Sequence, residues 1–151
     1  MSRSLRPGEI VAYPYLWKWQ HEKGETEGRK ERPVCVVIAV RGSKDDLTHL
    51  ALLAISSQPP SIPQTAIEIP EIECRRSGLG EFKRAWITIS EYNYDIAERS
   101  FYFDQAQPVL GRFSKSFMMQ LAKAVGPLMR QGRGRIDRTI TQRYCEDLES
   151  H

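Results

Sequence analysis

A continuous apolar run, Val-Cys-Val-Val-Ile-Ala-Val, follows Arg32 and Pro33 and ends at Arg41-Gly42-Ser43. A run this short and this rich in β-branched residues predicts a strand over residues 32–40 that is buried on both faces, rather than a helix. Proline is tolerated at its start because the first residue of a strand need not donate to the hydrogen-bond ladder. The pattern therefore predicts that Arg32 presents a fixed cation at the edge of a rigid sheet.

Shorter strands are predicted on both sides of this run. Apolar positions that alternate or follow one another indicate four of them, at residues 8–15, 47–55, 66–70 and 85–89. The sequence Ser56-Ser57-Gln58-Pro59-Pro60 stops any helix at the end of the 47–55 run. A long polar loop at 18–31 follows the first strand, and we expect Trp17 and Trp19 to pin its base. Residues 74–84 are typical of a turn built around two glycines.

The apolar period changes after Ser114. Apolar residues then recur at three- and four-residue spacing, which predicts an amphipathic helix with Ser114 as its N-cap. Gly126-Pro127 should bend or end this helix. The glycines and arginines that follow predict a basic linker and a short helical or flexible tail at 131–151, beyond a first domain at 1–130.

Several short strands followed by one helix predict a mainly β fold with a C-terminal helix. No crossover helix separates the strands, so their pairing should be mostly antiparallel. A small, strongly curved barrel fits this order of elements better than a doubly wound sheet.

Composition restricts the function only loosely. The chain has 151 residues and a net charge of +3, and its pI of about 8.8 permits a nucleic-acid partner without requiring one. Its three cysteines show neither a disulfide framework nor metal-ligand spacing, which fits a reducing, cytoplasmic compartment. We predict no membrane span, no signal peptide, no metal and no cofactor.

Candidate chemistry lies at the ends of the predicted strands. Arg32 opens one strand, Ser56-Ser57-Gln58 closes the next, and Lys83-Arg84 opens the strand at Trp86, with Glu91 and Asp95 beyond its end. In a small barrel such ends can converge on one rim. Hydroxyls beside fixed cations bind phosphate and offset the charge that grows on a phosphorane, which suits metal-free phosphodiester cleavage.

Three segments follow one another along the chain: Gly8-Glu9-Ile10-Val11, then Arg32-Pro33 with its apolar run, then Ala54-Ile55-Ser56-Ser57-Gln58. Their order resembles the MazF/PemK-like family of toxins from bacterial toxin–antitoxin modules. The resemblance implies a small SH3-like barrel, a homodimer and an antitoxin protein as partner. It also implies ribosome-independent and metal-independent cleavage of single-stranded RNA to 2′,3′-cyclic phosphate and 5′-hydroxyl ends.

The resemblance also suggests roles for single residues. Arg32 falls on the family's catalytic arginine, which acts as acid and phosphate clamp, and Ser56 falls where the family usually has threonine. Asp95 aligns with a carboxylate after the late strand. The remaining predicted substrate contacts are Trp17, Ser57, Gln58, Lys83 and Arg84, with Trp19 and Tyr92 as further stacking candidates.

The chain departs from the family pattern in its long first loop, in Lys83-Arg84 where many members carry serine, and in the tail beyond Gly126. Two alternatives therefore stay open. One is a catalytically inactive SH3-like barrel that binds nucleic acid or a partner protein. The other is a structural adaptor, which would show no salt-sensitive RNA binding.

Overall fold

The computed structural model describes residues 5–104 and 106–139, and in these ranges the chain is mainly β. The eight strands are β1 (Glu9–Tyr13), β2 (Arg32–Arg41), β3 (Thr48–Ser56), β4 (Ala66–Glu68), β5 (Trp86–Thr88), β6 (Tyr92–Ile96), β7 (Gly111–Arg112) and β8 (Arg135–Asp137). The three α-helices are α1 (Lys18–Glu22), α2 (Glu71–Arg76) and α3 (Lys115–Arg130).

The strands form one sheet whose main path runs in the order β4-β5-β3-β2-β1-β7. The long strand β3 branches this sheet, because residues 49–52 pair with β6 whereas Ile55 and Ser56 pair with β5. All pairs are antiparallel except β6 with β8. The predicted mainly β fold with mostly antiparallel strands and a C-terminal helix is confirmed. The path is open between β4 and β7 in the described ranges, so closure into an SH3-like barrel stays a prediction.

The first half of β2 is buried on both faces, as its unbroken apolar run predicts. Cys35 packs into the cluster that α3 covers, whereas Val34 and Val36 pack into a second cluster rich in tyrosine and tryptophan. The pairing with β3 shifts between Val36 and Ile38. Beyond this bulge the strand emerges, and Val40 is 56% exposed. The half of β2 that follows Arg32 is therefore held by packing on both faces, whereas the other half is exposed to solvent.

Helix α3 covers one face of the sheet with Phe117, Leu121 and Val125, all of which are buried. It starts as predicted, since the amide of Phe117 donates to Ser114 Oγ at 3.2 Å. The helix does not end at Gly126-Pro127 but continues to Arg130. A proline ring clashes with the Cβ of the residue before it, and glycine has none, so the last turn can form.

The remaining differences are local. Helix α2 replaces the first part of the predicted turn at 74–84, and the polar loop at 18–31 contains the short helix α1. Part of the predicted linker forms β8, which pairs with β6, while residues 140–151 of the predicted tail lie outside the described ranges. No helix in the part of the chain that the structure describes has the length and apolar character needed to cross a membrane.

Candidate functional site

A groove with a volume of about 830 Å³ opens where β2 starts and β3 ends. The 58–64 loop, α1 and the C-terminal end of α3 surround it. Its lining includes Trp17, Lys18, Trp19, Lys30, Arg32, Ser56, Gln58, Gln64, Trp86, Glu91 and Arg133.

The antiparallel pairing of β2 with β3 brings the start of β2, at Arg32, next to the end of β3, at Ser56. The last pair between β2 and β3 at this end is Val34 with Ala54, and the same antiparallel register continued by two residues would set Arg32 opposite Ser56. Ser56 in turn pairs with Trp86 on β5. Residues that face each other across an antiparallel ladder point to the same side of the sheet. Ser56 and Trp86 therefore point to the same side of the sheet, and both line the groove together with Arg32.

The guanidinium of Arg32 lies over the ring of Trp17, with Cζ 4.9 Å from the ring centroid. Its Nε is buried and has no hydrogen-bond partner, and no carboxylate of the described residues forms an ion pair with it. Burial lowers the pKa of Arg32 from its ordinary value. A cation held by an aromatic ring and left without a counter-ion is suited to accept an anion from solution.

Two other arginines stack on tryptophan, but their charges are compensated. Arg29 lies over Trp19 and donates through Nε and Nη2 to Glu25 at 3.0 and 3.1 Å. Arg84, a predicted substrate contact, lies over Trp86 and binds both carboxylate oxygens of Glu68 at 2.7 and 2.9 Å. These pairs shape the surface around the groove rather than offering a free cation.

The hydroxyl of Ser56 ends β3 inside the groove, where its oxygen accepts a hydrogen bond from the amide of Gln58 at 3.0 Å. This contact leaves the hydroxyl proton of Ser56 available as a donor. Gln58 also lines the groove, whereas the exposed Ser57 is not among the lining residues. Lys83 is exposed in the turn before β5 and is likewise outside the lining.

Asp95 is fully buried away from the groove. Its Oδ2 accepts hydrogen bonds from the Tyr13 hydroxyl at 2.8 Å and from Ser100 Oγ at 2.5 Å. Burial raises its pKa despite these contacts. Tyr92, a stacking candidate, is only 7% exposed and packs in the cluster under α3. The structure thus brings Arg32, Ser56, Gln58 and Trp17 together and leaves Asp95 elsewhere.

The buried carboxylate in the groove wall belongs to Glu91, which is 3% exposed. Its Oε2 accepts hydrogen bonds from the amide of Lys18 at 2.9 Å and from the Tyr15 hydroxyl at 3.2 Å. Burial outweighs these donors and raises the pKa of Glu91. The sequence marks Glu91 only as one of two acids beyond the end of a predicted strand.

Cations outnumber carboxylates in the groove. Its lining carries the positive side chains of Lys18, Lys30, Arg32 and Arg133, against the carboxylates of Glu22 and Glu91. Single-stranded nucleic acid binds to surfaces that combine such charges with aromatic rings. Within residues 5–104 and 106–139, no cluster of three or more His, Cys, Asp and Glu side chains is arranged to hold a metal ion.

Comparisons with known proteins add no relative to this description: no family model, no curated protein and no solved structure matches the chain.

Proposed function

We propose that this chain is a metal-independent and ribosome-independent endoribonuclease that cleaves single-stranded RNA, as the resemblance to MazF/PemK-like toxins implies. The observation that carries the proposal is that Arg32 and Ser56 line the same groove, with Arg32 stacked on Trp17 and free of any carboxylate among the described residues. A fixed guanidinium beside a hydroxyl donor matches the oxygens of a phosphodiester.

In the proposed reaction Arg32 binds the scissile phosphate and Ser56 donates to one of its oxygens. The ribose 2′-oxygen attacks the phosphorus while its proton passes to water, and the bond from phosphorus to the 5′-oxygen breaks. The leaving oxygen takes a proton from Arg32, which regains one from water. Burial lowers the pKa of Arg32 and so favours this transfer. The products are a 2′,3′-cyclic phosphate and a 5′-hydroxyl.

The preference for single strands follows from the aromatic side chains of the groove. Trp19 is 41% exposed, and it lines the groove together with the half-buried Trp86. Unpaired bases can stack on such rings, whereas bases within a duplex are already stacked. The proposal includes a cytoplasmic location, action as a homodimer and inhibition by an antitoxin protein.

The test is cleavage of a single-stranded RNA in EDTA, followed by analysis of the product ends. Arg32→Ala should reduce the rate by about 100-fold or more while the fold is retained. Ser56→Ala should reduce it less, and Ser56→Thr should restore it. Arg29→Ala is the matched control, because it removes a stacked arginine that glutamate already neutralises. Cleavage by Arg32→Ala at the wild-type rate would overturn the assignment.

A second experiment addresses the toxin role. Overexpression should arrest growth, and the product of an adjacent gene should relieve the arrest. The alternative function is an inactive barrel that binds nucleic acid or a partner protein. It is favoured by the buried carboxylate of Glu91, whose Oε2 already accepts two hydrogen bonds. Salt-sensitive RNA binding without cleavage would identify this alternative.

A further inference from the structure

We infer that Glu91 is a positioning residue that holds the Trp17 ring in place beneath the guanidinium of Arg32. This inference deepens the proposed function and rests on it for its catalytic consequence. The geometric part concerns contacts within the chain and can be tested without RNA.

Glu91 fixes both neighbours of the Trp17 ring. One neighbour is covalent, since the amide that donates to Glu91 Oε2 at 2.9 Å belongs to Lys18, the residue after Trp17. The other is the ring of Tyr15, which meets Trp17 edge-on with centroids 5.0 Å apart. The hydroxyl of Tyr15 donates to the same carboxylate oxygen at 3.2 Å. A single carboxylate oxygen thus holds both the backbone next to Trp17 and the tyrosine ring that packs against it.

The backbone of Glu91 is itself held firmly. The amide of the next residue, Tyr92, donates to the carbonyl of Gly134 at 2.9 Å. A Cβ on Gly134 would lie 2.8 Å from the Ser90 carbonyl oxygen and 3.1 Å from Glu91 Cα, so no other residue fits there without a shift. The segment around Gly134 therefore fixes the backbone of Glu91, from which the carboxylate extends to Tyr15 and Lys18.

Direct proton transfer is a poor role for this carboxylate. Its Oε2 already accepts two hydrogen bonds, and the residue is 3% exposed. The carboxylate therefore has little surface that a ribose hydroxyl could contact. To position Trp17, Glu91 needs only an oxygen that accepts these hydrogen bonds. The side-chain amide of glutamine also has such an oxygen.

The kinetic test compares Glu91→Gln with Glu91→Ala on single-stranded RNA in EDTA. The glutamine variant should keep a rate within about threefold of wild type and the same pH–rate profile, because its amide oxygen accepts the same bonds. The alanine variant should lose about tenfold or more at saturating RNA. Glu73→Ala is the matched control. It removes a buried carboxylate that accepts from Ser114 and lies outside the groove lining, and it should leave the rate per folded molecule unchanged.

Two results would overturn the inference: a wild-type rate in Glu91→Ala, or a glutamine variant that loses its rate or the acid limb of its pH profile. Should the alanine variant not fold, the glutamine comparison still decides.

A separate readout uses Trp17 as the sole tryptophan, after Trp19→Phe and Trp86→Phe. Adding Glu91→Ala should increase acrylamide quenching of its fluorescence, and unchanged quenching would contradict the positioning role. If the wild-type protein does not cleave RNA, the proposed function fails, whereas the fluorescence still reports on Glu91.

Discussion

Arg32 stacks on Trp17 with its Cζ 4.9 Å from the ring centroid, and no carboxylate of the described ranges neutralises it. This sets it apart from Arg29 and Arg84, which stack on tryptophan in the same way but bind glutamate through two nitrogens each. A stacked arginine without a counter-ion keeps its charge and its fork of donors for a ligand. The difference identifies Arg32 as the strongest candidate for an anion contact in the groove.

Arg32→Lys tests whether the shape of this cation matters. Lysine retains the charge but lacks the planar fork that stacks on Trp17 and binds two phosphate oxygens, so we expect RNA cleavage to fall by about 10- to 100-fold. Unfolding in urea should change by less than about 1 kcal/mol, since the side chain makes no ion pair. Arg29→Lys should leave the rate unchanged. A lysine variant as active as wild type would mean that a point charge is sufficient.

Salt dependence tests how many cations of the groove contact RNA. If Lys18, Lys30, Arg32 and Arg133 each neutralise one phosphate, the logarithm of affinity for single-stranded RNA should fall against the logarithm of salt with a slope of about −2.8. Arg133→Ala should make that slope shallower by about 0.7. Lys123→Ala, on the exposed face of α3, should not change it. Anisotropy titrations over a salt series measure both, and an unchanged slope in Arg133→Ala would place that residue outside the RNA contact.

The fold could be predicted where buried residues form a recognisable apolar pattern in the sequence. The run after Arg32 is unbroken and the stripe of α3 is long enough to show its helical period, and both elements lie where these patterns indicated. Helix α2, with six residues, is too short for a period to be visible, and only Glu73 and Cys74 of it are buried. Its charges do follow the helix dipole, since Glu71 lies in the first turn and Arg76 in the last.

The candidate site could be predicted as far as local order and ladder register determine it. Arg32 and Ser56 mark the ends of two adjacent apolar runs, so antiparallel pairing brings them together. Glu91 depends instead on a backbone amide 73 residues away in sequence, which no local pattern reveals. Asp95 pairs with Leu50 on β3 and so faces the cluster that contains Tyr13 rather than the groove. A one-dimensional pattern does not say which of two acids after a strand lies at the groove.

Substitution of Arg138 tests whether the segment after α3 is part of the folded unit. This residue is 2% exposed, donates to the Pro14 carbonyl at 2.9 Å and to Asn93 Oδ1 at 3.0 Å, and lies 3.8 Å over the Tyr102 ring. Arg138→Ala removes the donor to the Pro14 carbonyl and leaves a cavity beside the Tyr102 ring, so the free energy of unfolding should fall by about 3 kcal/mol. Arg135→Ala, at a half-exposed side chain of β8, should cost less than about 1 kcal/mol. Equal losses in urea unfolding would contradict a special anchoring role for Arg138.

The buried carboxylate of Glu91 should leave a signature in the pH dependence of stability. Because burial raises its pKa, the folded protein holds this proton more tightly than the unfolded chain does. Its contribution to the free energy of unfolding is therefore largest below the ordinary glutamate pKa of about 4.3 and decreases as pH rises through the raised value.

Glu91→Gln removes this titration and retains an acceptor for Lys18 and Tyr15. The free energy of unfolding of the variant minus that of wild type should thus increase with pH across this window and then level off. Asp95 also has a raised pKa, but it titrates in both proteins and cancels in the difference. Urea unfolding over a pH series measures the curve. A difference that stays flat from about pH 4 to pH 8 would mean that Glu91 titrates in the folded protein as it does in the unfolded chain.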